Sequence, residues 1–365
     1  MTIAKAPANA QPLPLMHADL KRFDTIIDVR SPSEYAEDHV PGAISCPVLD
    51  DVERAHIGTL HKQSSAFDAK KAGGALVARN IANHLEALFS GKPKNWKPLV
   101  YCWRGGMRSG AMTHVLRSVG WDAKQLVGGY KAWRAQVLAD LTELPGRFEF
   151  VVICGRTGSG KSRFLESLAA AGHQVLDLEL LGAHKGSILG DLPHTPQPAQ
   201  KHYDSLIWAA LAGFDPARPV FVEAESKRVG KLAVPAALMD RMRASVCVEL
   251  DMPEAARVGI LKKDYAHLIE NPPLLFDKLE GLVGLHSRDT VEQWKGLASA
   301  GDWDAFVQRM LKEHYDPAYH RSMFKNYGQA RAAAALHAAG HSHTDFERLV
   351  REFSEWPIAR TGMIG

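Results

Sequence analysis

The eight residues Gly155-Arg156-Thr157-Gly158-Ser159-Gly160-Lys161-Ser162 constrain the fold more than any other stretch of the chain. They match G-x-x-x-x-G-K-[S/T] in full and follow the apolar run Phe150-Val151-Val152-Ile153. A helical pattern then runs from Arg163 through Ala171. Strand, glycine loop and helix in that order form a phosphate cradle. The glycines bare backbone N–H groups, Lys161 reaches the terminal phosphates and the Ser162 hydroxyl is placed to meet Mg²⁺. The motif suits ATP, GTP or the diphosphate of another activated group. Glu223 and Glu225, closing the run Val220-Phe221-Val222, and Glu179 after another strand are the acidic candidates beside it. Asp is more usual there, and surface acids at strand ends are the competing reading.

A chain of 365 residues exceeds what one hydrophobic core usually serves, so two domains are expected. Short β-branched runs alternate with helical patterns, as in Thr25-Ile26-Ile27-Asp28-Val29, Pro98-Leu99-Val100-Tyr101 and Val246-Cys247-Val248-Glu249-Leu250. That alternation suits buried parallel strands in α/β units. Leu144-Pro145-Gly146-Arg147 signals a turn before a new strand, so the boundary is placed there. From about Glu254 onward amphipathic helices are expected and strand patterns vanish. With 46% hydrophobic and 23% charged residues, the composition excludes collagen-like or wholly disordered chains. No uncharged apolar run reaches the roughly 18 residues a bilayer requires, and residues 1–7 lack a signal-peptide core. The four Cys are scattered and the 17 His dispersed, so neither a disulfide scaffold nor a metal site built from protein ligands alone is expected. A cytoplasmic location and no membrane partner follow as expectations. The net charge of +3 permits a polyanionic partner without requiring one.

A second loop carries a nucleophile. Cys102 ends an apolar run and opens Cys102-Trp103-Arg104-Gly105-Gly106-Met107-Arg108-Ser109, after which a helix pattern continues through Leu116. Backbone N–H groups and the positive helix end converge on such a loop and acidify a thiol at its centre. Lowering a thiol from about 8.5 to about 6 takes roughly 3.4 kcal/mol, which two or three charge-assisted hydrogen bonds supply. A buried structural Cys is the competing reading, and it suits Cys46, Cys154 and Cys247 better, because each lies in or beside an apolar run.

The segment Ile27-Asp28-Val29-Arg30-Ser31-Pro32-Ser33-Glu34-Tyr35, then His39-Val40-Pro41-Gly42-Ala43-Ile44, resembles the first signature of a rhodanese domain. The cysteine loop and Val127-Gly128-Gly129-Tyr130-Lys131-Ala132-Trp133 resemble its remaining marks. Rhodaneses carry sulfur or selenium on the loop cysteine. In many of them four residues separate Cys from the loop Arg, whereas five separate Cys102 from Arg108, a spacing that also fits a phosphatase loop. The expected architecture is α/β: an N-terminal rhodanese-like domain over 12–138, a linker over 139–148, and a P-loop NTPase-like parallel-sheet domain with a helical C-terminal region over 149–365.

Rhodanese and P-loop domains in that order resemble the bacterial tRNA 2-selenouridine synthase family. Both loops, the stretch Phe221-Val222-Glu223-Ala224-Glu225-Ser226, and His314-Tyr315-Asp316-Pro317-Ala318-Tyr319 are similar to that family's sequences. The resemblance implies conversion of wobble-position 2-thiouridine in tRNA to 2-selenouridine, through S-geranylation by geranyl diphosphate and then replacement of the geranylthio group using selenophosphate. A selenophosphate-producing enzyme would act upstream. Under this resemblance Cys102 carries selenium as a selanylsulfide, while Arg104 and Arg108 hold the donor's anionic group. Residues 155–162 hold the diphosphate, possible Mg²⁺ binding falls at Ser162, and no prosthetic group is required. Tyr265, Leu268, Leu274, Leu275 and Phe276 are candidates to line a geranyl slot, with plain core packing as the alternative. Lys227, Arg228 and Lys231 are the tRNA-binding candidates, followed by Arg241, Arg243, Lys262 and Lys263; a solvated basic face competes. A rival of another class is a phosphatase-like cysteine loop fused to a kinase or regulatory ATPase. Tyr101 stands where such phosphatases often place His. A non-catalytic ATP-gated sensor is a third reading, against which intact Cys102 and Lys161 argue.

Overall fold

A computed structural model describes residues 17–63 and 65–357; the outer ends of the two expected domains, at 12–16 and 358–365, lie outside these residues. The chain forms two compact units. One runs to Asp140 and takes in 199–212; the other comprises 141–198 and the chain from 213 on.

The first unit is built on a parallel sheet of β1 (Thr25–Asp28), β2 (Ala43–Ser45), β3 (Pro98–Tyr101) and β4 (Lys124–Gln125), in spatial order β2-β1-β3-β4. Every residue of β3 is buried, as a central parallel strand requires. Val29, Val100, Phe89, Trp96, Met112 and Leu116 fill the core. Met112 and Leu116, four apart, are the buried stripe of helix Met107–Val119, which the cysteine loop opens. Arg30 is 1% exposed, and its guanidinium clasps the Asp28 carboxylate, donates to Asp38 O at 2.6 Å and lies 4.0 Å from the Tyr130 ring centroid. This buried pair fixes the chain leaving β1. Most of helix Gln200–Gly213 belongs to this unit: Asp204 accepts from Arg134 at 2.5 Å, Ser205 donates to Asp38, and Trp208 donates to Asp140.

The second unit holds a five-stranded parallel sheet made of β5 (Phe150–Cys154), β6 (Gln174–Leu176), β7 (Val220–Glu223), β10 (Val246–Asp251) and β11 (Ala334–His337), with a small antiparallel hairpin of β8 (Arg228–Val229) and β9 (Leu232–Ala233). Spatial order is β11-β10-β5-β7-β6. The chain leaves β5 toward one side of the sheet and later reaches β10 on the other. The C-terminal end of β5 is therefore a topological switch point, where α/β sheets bind ligands. Helix Lys161–Ala170 follows, burying Phe164, Leu165 and Leu168 against Phe221, Phe346 and Phe353.

After Glu254 the chain is mainly helical, with one exception to the sequence expectation: β11 pairs parallel with β10, placing Leu336 against Leu250. The alanine-rich stretch around it has high helix propensity, but burying Leu336 at the sheet edge outweighs that preference. The helices Pro272–Glu280, Arg288–Ser299 and Trp303–Met310 enclose a separate core containing Leu275, Leu279, Trp294 and Phe306. A π-helical turn, Leu311–Tyr315, joins the last of these to helix Asp316–Asn326.

Candidate active sites

In the first unit Cys102 directly follows β3 and is 3% exposed. Its sulfur accepts the Gly106 N–H at 3.3 Å and the Ser109 hydroxyl at 3.1 Å. Burial alone raises this thiol. The Ser109 hydroxyl, the Ser109 and Gly106 amides and the Arg108 charge more than offset it, so the group titrates below an ordinary cysteine. Gln125 holds Ser109 in place, donating to its oxygen at 2.8 Å and to Gly105 O at 2.7 Å. The loop sits tightly on the turn after β4: a Cβ on Gly129, whose φ is +58°, would lie 2.3 Å from Cys102 O. Only glycine fits there. Arg108 pairs with Glu34 at 2.9 Å and Arg104 is exposed on the loop. By contrast, burial pushes the Cys46 thiol up to about 12, and Cys154 and Cys247 are buried in strands.

In the second unit the loop 155–160 leaves β5 at the sheet's switch point. Lys161 donates to Gly155 O at 2.8 Å and Ser162 to Glu179 Oε2 at 3.2 Å. The three acidic candidates cluster beside them. A Cβ on Gly186 would lie 2.6 Å from Glu179 Oε1 and 2.7 Å from Glu225 Oε1, so the two carboxyls converge on one spot. Burial and the neighbouring Glu179 charge raise Glu225 to about 8 despite Lys161, and Glu225 donates to Glu179. Glu223 lies beneath: one oxygen accepts the Glu179 N–H at 2.8 Å, while the other is buried with no partner. Burial and three surrounding acids raise it strongly. Ser162 and Glu179 offer the hard oxygen donors that suit Mg²⁺ bound jointly with phosphate.

An open cleft of about 900 Å³ is lined by Lys161, Ser162, Glu225, His314, Tyr315 and Tyr319, among others. A smaller pocket lined mainly by apolar side chains adjoins it and shares Thr157, Leu261, Tyr265 and Tyr315 with the cleft. Tyr265, Leu268 and Leu275 of the expected slot line this pocket while also belonging to or packing against the helical core; Phe276 packs against that core without lining the pocket, and Leu274 is exposed.

Lys227, Arg228 and Lys231 are exposed on the β8–β9 hairpin, which follows Glu225, and none of the three is ion-paired among the described residues. The four later basic candidates are engaged: Arg241 with Phe148 O, Arg243 with Asn326, Lys262 with Asp304 and Lys263 with His341. Sequence reasoning missed Ser109 and Gln125, as well as the buried Arg257, which donates to Thr157 O at 2.9 Å and clasps Asp316 at 2.5 and 3.0 Å. The motif containing Asp316 was the available signal for that last contact.

Residues 14–136 match the rhodanese-like domain family, and residues 148–274 match the tRNA 2-selenouridine synthase AAA domain family. The tRNA 2-selenouridine synthase of Nitrosomonas europaea is 30% identical, with 84% of this chain and 92% of the relative covered. That of Marinobacter nauticus is 32% identical, covering 83% and 89%, and that of Alcanivorax borkumensis 33%, covering 83% and 90%. With both domains matched in order and full-length relatives covered almost end to end, the chain belongs to the tRNA 2-selenouridine synthase family.

Proposed function

We propose that this chain replaces the sulfur of wobble-position 2-thiouridine in tRNA with selenium in two steps, geranylation and then selenation. In the first, loop 155–162 holds geranyl diphosphate, with Lys161 and the loop amides stabilising the departing diphosphate; Ser162 and Glu179 would hold a Mg²⁺, which would supply further neutralisation of its charge. In the second, the selenium of selenophosphate attacks C2 of the base, the C–S bond breaks and geranylthiolate leaves with its electron pair, and water then cleaves the Se–P bond to release phosphate. Cys102 lies at the centre of the loop that handles the selenium donor, and Arg104, Arg108 and the loop amides hold the donor's anionic group. Lys227, Arg228 and Lys231 pair with tRNA backbone phosphates. A selenophosphate-producing enzyme supplies the donor, and the cytoplasm is where these substrates meet.

The observation that carries this reading is the shared wall of the phosphate cleft and the apolar pocket at Thr157, Leu261, Tyr265 and Tyr315. A nucleotide puts a polar ribose beyond its phosphates, whereas an allylic diphosphate puts hydrocarbon there. Each buried CH₂ contributes about 0.8 kcal/mol, so burying even a few carbons separates the two ligand classes. Calorimetric titration tests this: geranyl diphosphate should bind about a hundredfold tighter than inorganic diphosphate. Equal affinities would remove the apolar pocket from the account.

A further inference from the structure

Alkylating the sulfur of 2-thiouridine requires a proton acceptor. As sulfur attacks C1 of the geranyl group, the C–S bond forms and the C–O bond breaks. Diphosphate takes that electron pair, and N3 must lose its proton to leave a neutral thioimidate.

Resting on the proposed geranylation, we propose that His314 is the base that takes this proton, held in its working orientation by His286. His314 lines the cleft that contains Lys161 and Ser162. It is adjacent in sequence to Tyr315, which forms part of the wall shared with the apolar pocket and so lies where a diphosphate and its hydrocarbon would meet. It stands on the π-helical turn Leu311–Tyr315, a rare geometry that recurs at functional sites. Its Nδ1 lies 2.9 Å from His286 Nε2, and His286 packs edge-on against Trp294. With the shared proton on His314 Nδ1, Nε2 is a free acceptor, and it has no hydrogen-bond partner among the described residues. Burial, His286 and the Arg321 charge hold the imidazole below the usual histidine range, so it is neutral at physiological pH.

Several other groups lining the cleft are poorer acceptors: Asp264 is ion-paired with both Arg163 and Lys185. Burial pushes the Tyr315 hydroxyl up to about 12 and raises Tyr265 and Tyr319 as well. His184 is enclosed: its Nε2 faces Asp191 at 3.5 Å, and its Nδ1 is buried without a partner. Glu179 and Glu225 are hydrogen-bonded to each other beside Ser162, on the phosphate side.

The test is single-turnover geranylation of 2-thiouridine tRNA by the full chain, alongside titration with geranyl diphosphate. His314→Ala should lose about a hundredfold in rate at pH 7 while keeping its geranyl diphosphate affinity. Added imidazole should restore part of the rate to this variant but none to Lys161→Ala, and the deficit should narrow toward pH 9 as the nucleoside ionises unaided. His286→Ala should show a smaller loss with the same pattern. An unimpaired His314→Ala, or one that loses binding and rate together without imidazole rescue, would overturn the assignment. A wild-type chain that binds geranyl diphosphate yet alkylates nothing would remove the proposed function itself, and the role of His314 with it.

Discussion

Ser109 donates its hydroxyl to the Cys102 sulfur at 3.1 Å from the first turn of the helix that the cysteine loop opens. The contact is the largest of those that favour the thiolate over the buried thiol. Hydrogen bonds to charged groups contribute about 1.5–3 kcal/mol, so Ser109→Ala should raise the Cys102 pKa by about one unit or more. At pH 7 that means less thiolate and slower alkylation. The pH dependence of iodoacetamide modification measures it, and an unshifted profile would return the acidification to the loop amides and Arg108.

Glu225 gives a stability prediction with a definite sign. Its folded value of about 8 lies above the roughly 4.3 of an unfolded glutamate. Below about pH 4 both states hold the proton. Between about pH 4 and 8 the unfolded chain releases a proton that the folded chain keeps, so stability falls as pH rises through that window. Glu225→Gln retains a donor for Glu179 and removes the titration. Its melting temperature should exceed wild type by roughly 2 °C or more at pH 8, and by less at pH 5. A gain that is equal at both pH values would assign the effect to something other than the shared proton.

The hairpin Lys227, Arg228 and Lys231 should govern tRNA affinity through counterion release. Replacing all three by Ala should flatten the slope of log affinity against log salt by about 2–3. The same triple variant should bind geranyl diphosphate as wild type does. An unchanged salt slope would place the phosphate contacts elsewhere.

Both loops were legible in the sequence because each is local: a buried strand, a glycine turn and a helix start within about a dozen residues. The strands flanking Cys102 and Gly155 were legible for the same reason. What sequence did not reveal depends on distance along the chain. Asp316 reaches the phosphate loop through Arg257 and faces Arg156 of that loop at 3.8 Å, and Ser205 reaches Asp38 across 167 positions. β11 reads as helix because its alanines speak for local propensity, while its pairing with β10 is a tertiary fact. The convergence of Glu179 and Glu225 arises because separate strands, β6 and β7, end side by side. Three acids named individually thus become one buried cluster in which a proton is shared.

The division of labour between the two loops is the central claim, and a nucleoside mass spectrum tests it most directly. Protein would be incubated with 2-thiouridine tRNA and geranyl diphosphate, with and without selenophosphate, and the tRNA digested. Wild type should show the geranyl mass gain, converted to the sulfur-to-selenium shift when selenophosphate is present. Cys102→Ser should stop at the geranylated nucleoside, and Lys161→Ala should lose the geranyl gain by about two orders of magnitude. An unchanged thiouridine peak with active wild-type protein, or geranylation lost equally in both variants, would contradict the account.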